Sequence, residues 1–130
     1  AYAYLCLQCG IDAAPAGGLS ESNEAHEWTL LSLDGQYYYA DPTFENGDGG
    51  MGLRYFGMTA ARRELEGNYP PDVYNIGDTN VIWGRDIDVT DERFAPLWEA
   101  AVVLDMQRRD GALYLECEKD DGTQFEFAVE

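Results

Sequence analysis

Asp34-Gly35 stands between two runs rich in β-forming residues, HEWTLLSL before it and QYYYADPTF behind it. Asp-Gly readily takes the two left-handed backbone conformations of a tight hairpin turn, whose twist matches that of paired strands. The sequence therefore predicts a hairpin with strands over residues 24–33 and 36–42. A two-residue turn sets the register: Leu33 faces Gln36, Trp28 faces Asp41 and His26 faces Thr43. Opposed residues share a face and side chains alternate along a strand. His26, Trp28 and Asp41 then project from one face. His26 and Asp41 are diagonal neighbours, about 7–8 Å apart at Cα and within side-chain reach. His26 is the only histidine in the chain. A carboxylate against one imidazole nitrogen fixes the tautomer and leaves the other nitrogen to act. On spacing alone, an ordinary polar pair on a half-exposed sheet stands beside the catalytic alternative.

The elements around the hairpin are legible to different degrees. AYAYLCLQC reads as the last turns of a buried helix, with Gly10 as a left-handed C-cap and Ile11 making the hydrophobic contact beyond it. Residues 12–23 read as a strand end or loop, and ENGDGGMG as a flexible glycine-rich loop. Residues 55–67 are expected to begin as a strand and continue as a short helix through MTAARRELEG. NYPPDVYNIGDTN, with its prolines and turn residues, reads as a connector, and VIWGRDIDVTDERFAPLW has no clear assignment. AAVVLDMQ, ALYLECE and QFEFAVE alternate as strands separated by RRDG and KDDG, which predicts a β-meander.

Charge and motif content exclude several functions. Eight Lys and Arg against 25 Asp and Glu give a net charge of −17, the wrong sign for nucleic acid or an anionic membrane surface. No apolar run approaches the ~20 residues of a membrane-spanning helix. ENGDGGMG lacks the Gly-Lys-Ser/Thr of a phosphate loop and the ligand spacing of a calcium loop. DVTDERFAPLWE lacks a calcium loop's central glycine. Cys6 and Cys9 are spaced C-x-x-C, but no second such pair is available for zinc, so no metal or cofactor is expected. The three cysteines leave the compartment open. Cys6 and Cys9 sit in an apolar run near a helix C-terminus, where the dipole disfavours a thiolate, and are expected in the core. Cys117 is expected to be buried in the meander. Arg62-Arg63 and Arg108-Arg109 read as solvated basic pairs.

Several separated motifs resemble the transglutaminase-like superfamily of papain-like cysteine acyl-transfer enzymes. Tyr2-Ala3 and Gly10-Ile11 match that family's helix, and Gly17-Gly18 its glycine stretch. His26-Glu27-Trp28 matches His-x-Trp on one strand, and Asp41-Pro42-Thr43 matches the next. Tyr55-Phe56 and Met58-Thr59 resemble the segment that trails them, so the resemblance covers about residues 1–66. It implies that His26 is the general base, that Asp41 orients it and that Trp28 packs beside the site and lines the substrate cleft. It also places the nucleophilic cysteine three residues before Tyr2, ahead of Ala1. The expectation is an N-terminally shortened piece of a hydrolase or acyltransferase acting on protein or peptide amides, inactive without that cysteine. The alternative is a non-catalytic module binding peptide or glycan. The expected fold is α+β: a papain-like core over residues 1–80, its antiparallel sheet packed on a helix. Residues 81–130 would add a C-terminal β extension or the start of a second β domain.

Overall fold

The computed structural model describes residues 1–19, 25–65, 73–76, 80–83 and 87–129. They form a mixed, mostly β fold of two antiparallel sheets with a few short helices. Helix α1 (Tyr2–Gln8) ends as its sequence predicts. Gly10 has φ +79°, and Ile11 N donates to Cys6 O at 2.9 Å and Gly10 N to Leu7 O at 3.1 Å. This pair of bonds defines a Schellman cap, and the apolar contact that accompanies it joins Ile11 to the Cys6 cluster.

Strands β1 (Asp12–Leu19), β2 (Ala25–Leu33) and β3 (Gln36–Ala40) make one half of a five-stranded sheet. β4 (Val73–Ile76) and β5 (Asn80–Trp83) complete it in the order β3-β2-β1-β4-β5. Two expectations change here. Residues 12–19 are a full strand, with both Gly17 and Gly18 in the ladder opposite Glu27 and His26. The connector expected over residues 68–80 contains β4 and leads into β5; its residues 68–72 and 77–79 lie outside the described ones.

The β2–β3 hairpin has the predicted turn, with φ +51° at Asp34 and +80° at Gly35, and the predicted register, from Leu33↔Gln36 to Thr29↔Ala40. It is shorter than expected. The ladder stops at Thr29–Ala40, so Trp28 and His26 have no ladder partners in Asp41 and Thr43. Asp41-Pro42 turns the chain into helix α2 (Pro42–Gly47) instead. Proline at the first helical position has its φ preset and its missing N–H costs nothing there. The Asp41 carboxylate caps the helix by accepting from Phe44 N at 3.0 Å. The first three residues of the expected glycine-rich loop, Glu45 to Gly47, are thus helical. Beyond it, Met58 pairs with Tyr39 through two 2.9 Å backbone bonds, a single bridge where a strand was expected. Helix α3 (Ala60–Leu65) follows, capped by Thr59 Oγ1 accepting from Arg62 N at 3.1 Å.

The C-terminal meander is as expected. β6 (Val102–Arg109), β7 (Ala112–Glu118) and β8 (Gln124–Ala128) form the second sheet in sequence order. Asp110-Gly111 repeats the left-handed turn pair of Asp34-Gly35. Among the residues without a clear assignment, Ala95–Glu99 form a 3₁₀ turn.

Both faces of β2 and β3 are buried. Trp28, Leu30 and Tyr39 pack with Ala16, Met58 and Val89. On the other face Leu31 and Ala40 pack with Cys6 of α1, and Tyr38 packs with Phe94, Leu97 and the meander residues Leu115, Cys117 and Phe127. Helix α1 therefore lies against the face opposite that of Trp28. No helix among the described residues is long and apolar enough to cross a membrane.

Candidate functional site

The end of β3 is where strand, cap and helix meet, and Asp41 stands at that junction. Its backbone N–H donates to Tyr55 O at 2.8 Å. Its side chain is fully buried and accepts on both oxygens. Oδ1 takes the Phe44 amide, while Oδ2 lies 2.7 Å from His26 Nε2 and 2.5 Å from Arg63 Nη2. The two residues that the turn register makes neighbours are thus in direct contact, although Asp41 has left the ladder. A guanidinium only donates and an ionised carboxylate only accepts. The hydrogen in the His26–Asp41 bond therefore sits on Nε2, and in the neutral ring Nδ1 carries the lone pair.

Aromatic rings wall this cluster. The His26 ring stacks on Phe44 at 4.9 Å and on Trp28 at 5.9 Å between centroids. Trp28 is 2% exposed and meets Tyr39 edge-on at 6.1 Å, so it is a packed wall beside the imidazole. Its indole N–H has no hydrogen-bond partner among the described residues. The His26 side chain keeps 14% of its surface open, the one member of the polar cluster that solvent reaches. Thr43 is exposed on α2, and Tyr39 is core.

Arg63 was expected in solvent and is fully buried instead. Its guanidinium lies 4.5 Å above Trp28 and 5.2 Å from Phe44. The signal for this was present in MTAARRELEG. Residues three and four apart share a helix face, so Arg63 falls with Ala60 and Thr59, both turned to the core, and Arg62 falls a step away. Arg62 lies over Trp98 at 5.8 Å.

A cavity of about 290 Å³ adjoins the cluster, lined among others by Tyr2, Asp41, Glu45 and Tyr55. It connects the first turn of α1 to the end of β3. Burial pushes the Glu45 carboxyl up, against the lowering effect of the Tyr55 and Arg54 amides that its oxygens accept. The cysteines divide. Cys6 is buried against Tyr2 and Cys117 lies within the meander core, and burial raises both thiols, which disfavours the reactive thiolate. Cys9 was expected in the core and is exposed; it falls on the α1 C-cap, past the last helical residue. Among the described residues no group of three His, Cys, Asp or Glu side chains is arranged to hold a metal ion.

With Asp41 at Nε2, a neutral His26 ring keeps a lone pair on Nδ1 that can take up a proton, the chemistry a general base requires. No protein-family model matches the chain, and neither a curated protein nor a solved structure matches it.

Proposed function

We propose that the chain carries the acid–base half of a transglutaminase-like cysteine acyl-transfer site on a papain-like core, acting on amide bonds of proteins or peptides. The observation that carries this reading is the 2.7 Å contact between His26 Nε2 and a fully buried Asp41 carboxylate. In the proposed reaction, His26 Nδ1 takes the proton of a thiol as its sulfur attacks the amide carbonyl. The C–N bond then breaks as the same nitrogen returns the proton to the departing amine. Water or a second amine resolves the thioester, and Asp41 keeps the imidazole in place throughout. The cavity shared by Tyr2 and Asp41 supports the reading, since the resemblance puts the thiol three residues before Tyr2.

A second reading is favoured by a different observation. Helix α1 packs with Leu31 and Ala40, on the face opposite that of Trp28, and neither buried thiol of the chain is suited to attack. A non-catalytic module that binds peptide or glycan uses the same cleft without a nucleophile.

One experiment separates them. The chain is extended so that a cysteine stands two places ahead of Ala1, and thioester-forming turnover of an activated peptide ester is followed. The enzyme reading expects turnover that falls about 10²-fold or more in His26→Ala, the ordinary contribution of a general base. Equal rates with and without His26 reject it.

A further inference from the structure

Asp41 Oδ2 serves two cationic partners, and only one of them can lose its charge. Arginine stays protonated at any ordinary pH, so Arg63 and the Asp41 carboxylate already balance one another, both fully buried. A lone buried carboxylate favours the imidazolium form of the ring beside it, because an adjacent opposite charge favours the charged form. An imidazolium has no lone pair and cannot act as a base. With the guanidinium on the same oxygen, a second positive charge on His26 would stand uncompensated in a water-poor site, which is costly.

We infer that Arg63 is a positioning residue for the acid–base site: it neutralises Asp41 so that His26 retains the lone pair on Nδ1. The inference rests on the acyl-transfer reading for its meaning, but its geometry stands apart from any nucleophile. Trp28 and Phe44 each contact both His26 and Arg63, so the two cation-forming groups share aromatic walls as well as one oxygen. Guanidinium suits this position, being planar, weakly hydrated and able to lie on aromatic faces.

The other charged groups on the surrounding elements are engaged or turned away. Glu27, next along β2, is exposed on the opposite side of the strand, and Glu64 of α3 is exposed. Glu45 of α2 gives its two oxygens to the Arg54 and Tyr55 amides. Arg62 lies over Trp98. Among the described residues, Asp41 and Arg63 are the charges that bear directly on the imidazole.

The test is the ¹⁵N spectrum of the single histidine at pH 8, which needs neither nucleophile nor substrate. The full chain should show one protonated nitrogen, Nε2, and one far-downfield resonance of an unprotonated Nδ1. In Arg63→Gln that downfield resonance should be lost as both nitrogens become protonated, and Arg63→Lys, which restores the charge, should recover it. An Arg63→Gln spectrum identical to that of the full chain overturns the inference, since a purely structural arginine would leave the ring's protonation unchanged. Whether or not Arg63→Gln folds, a doubly protonated His26 in the unaltered chain at pH 8 also overturns the inference. Failure of the ester assay with a passing spectrum rejects the acyl-transfer reading alone; a failing spectrum with passing turnover rejects the role of Arg63 alone.

Discussion

At the level of single residues, Asp41 is asked to do three things at once. It caps α2 through Oδ1, orients His26 through Oδ2 and neutralises Arg63 through the same oxygen. Removing the carboxylate therefore has a cost separate from any catalysis. Asp41→Ala takes a buried counter-ion from the Arg63 guanidinium, a loss of about 3–5 kcal/mol, and loses a cap besides, about 1 kcal/mol. Asp41→Asn keeps an acceptor for Phe44 N while giving up the charge and the Oδ2 acceptor, so it should be milder by about the worth of the cap. Urea unfolding of the two variants checks this, and equal losses would mean that the cap contributes nothing. The His–Asp neighbourhood was legible because hairpin register is a local property of a two-residue turn. The burial of Arg63 is not legible in the same way, because a basic pair in a short helix looks solvated until a specific carboxylate is known to lie under it.

Among the elements, turns and caps do the placing. Asp34-Gly35 and Asp110-Gly111 build their hairpins from residues that accept φ > 0, and both were readable for that reason. Gly57 is of a different kind. Its φ is +63°, and a Cβ there would lie 2.4 Å from the Phe94 Cβ, so it needs both the left-handed conformation and the space. Gly57→Ala should cost about 2 kcal/mol or more, from backbone strain and overpacking together. Gly35→Asn, at a left-handed turn position with nothing within 4 Å of the added Cβ, should stay within about 1 kcal/mol. Thermal unfolding of both variants compares a packed glycine with a free one; similar losses would refute the role of Phe94. β3 ends at Ala40, two residues short of the expected strand, although β-propensity favours continuing it through Asp41-Pro42. The cap and the proline, both helix-start signals, prevailed.

Across the whole molecule, Tyr38 links the two sheets. Its ring meets Phe94 edge-on at 4.9 Å and its hydroxyl donates to Asp91 Oδ1 at 2.6 Å. Burial first, then the bond to Asp91, pushes the phenol from 10.0 up to about 12. Tyr2, half-buried beside Cys6, is likewise pushed up to about 12. A group whose folded pKa is raised contributes stability that is complete below its unfolded pKa and declines as pH rises through the folded one. Stability should accordingly begin to fall above about pH 9, where the buried thiols Cys6 and Cys117, both raised from 9.0, start to ionise in the unfolded chain, and fall further between pH 10 and about 12. Tyr38→Phe should be less steep over that window, which urea midpoints at pH 9 and pH 11 compare. A slope unchanged by the substitution would assign the alkaline loss elsewhere, for instance to repulsion among the chain's excess negative charges.

By itself the sequence determined the α1 cap, the β2–β3 turn and its register, the meander and the closeness of His26 to Asp41. Each follows from backbone preferences or a period of two acting over a few residues. Only the tertiary structure decided that Arg63 enters the site and that α1 covers the opposite face of the sheet. It also decided that Asp12–Leu19 and Val73–Trp83 supply three more strands. Those outcomes depend on which distant surfaces meet. A buried charge is tolerable only when its partner arrives from another element, and a glycine- or proline-rich segment becomes a strand only when a neighbouring edge accepts its hydrogen bonds.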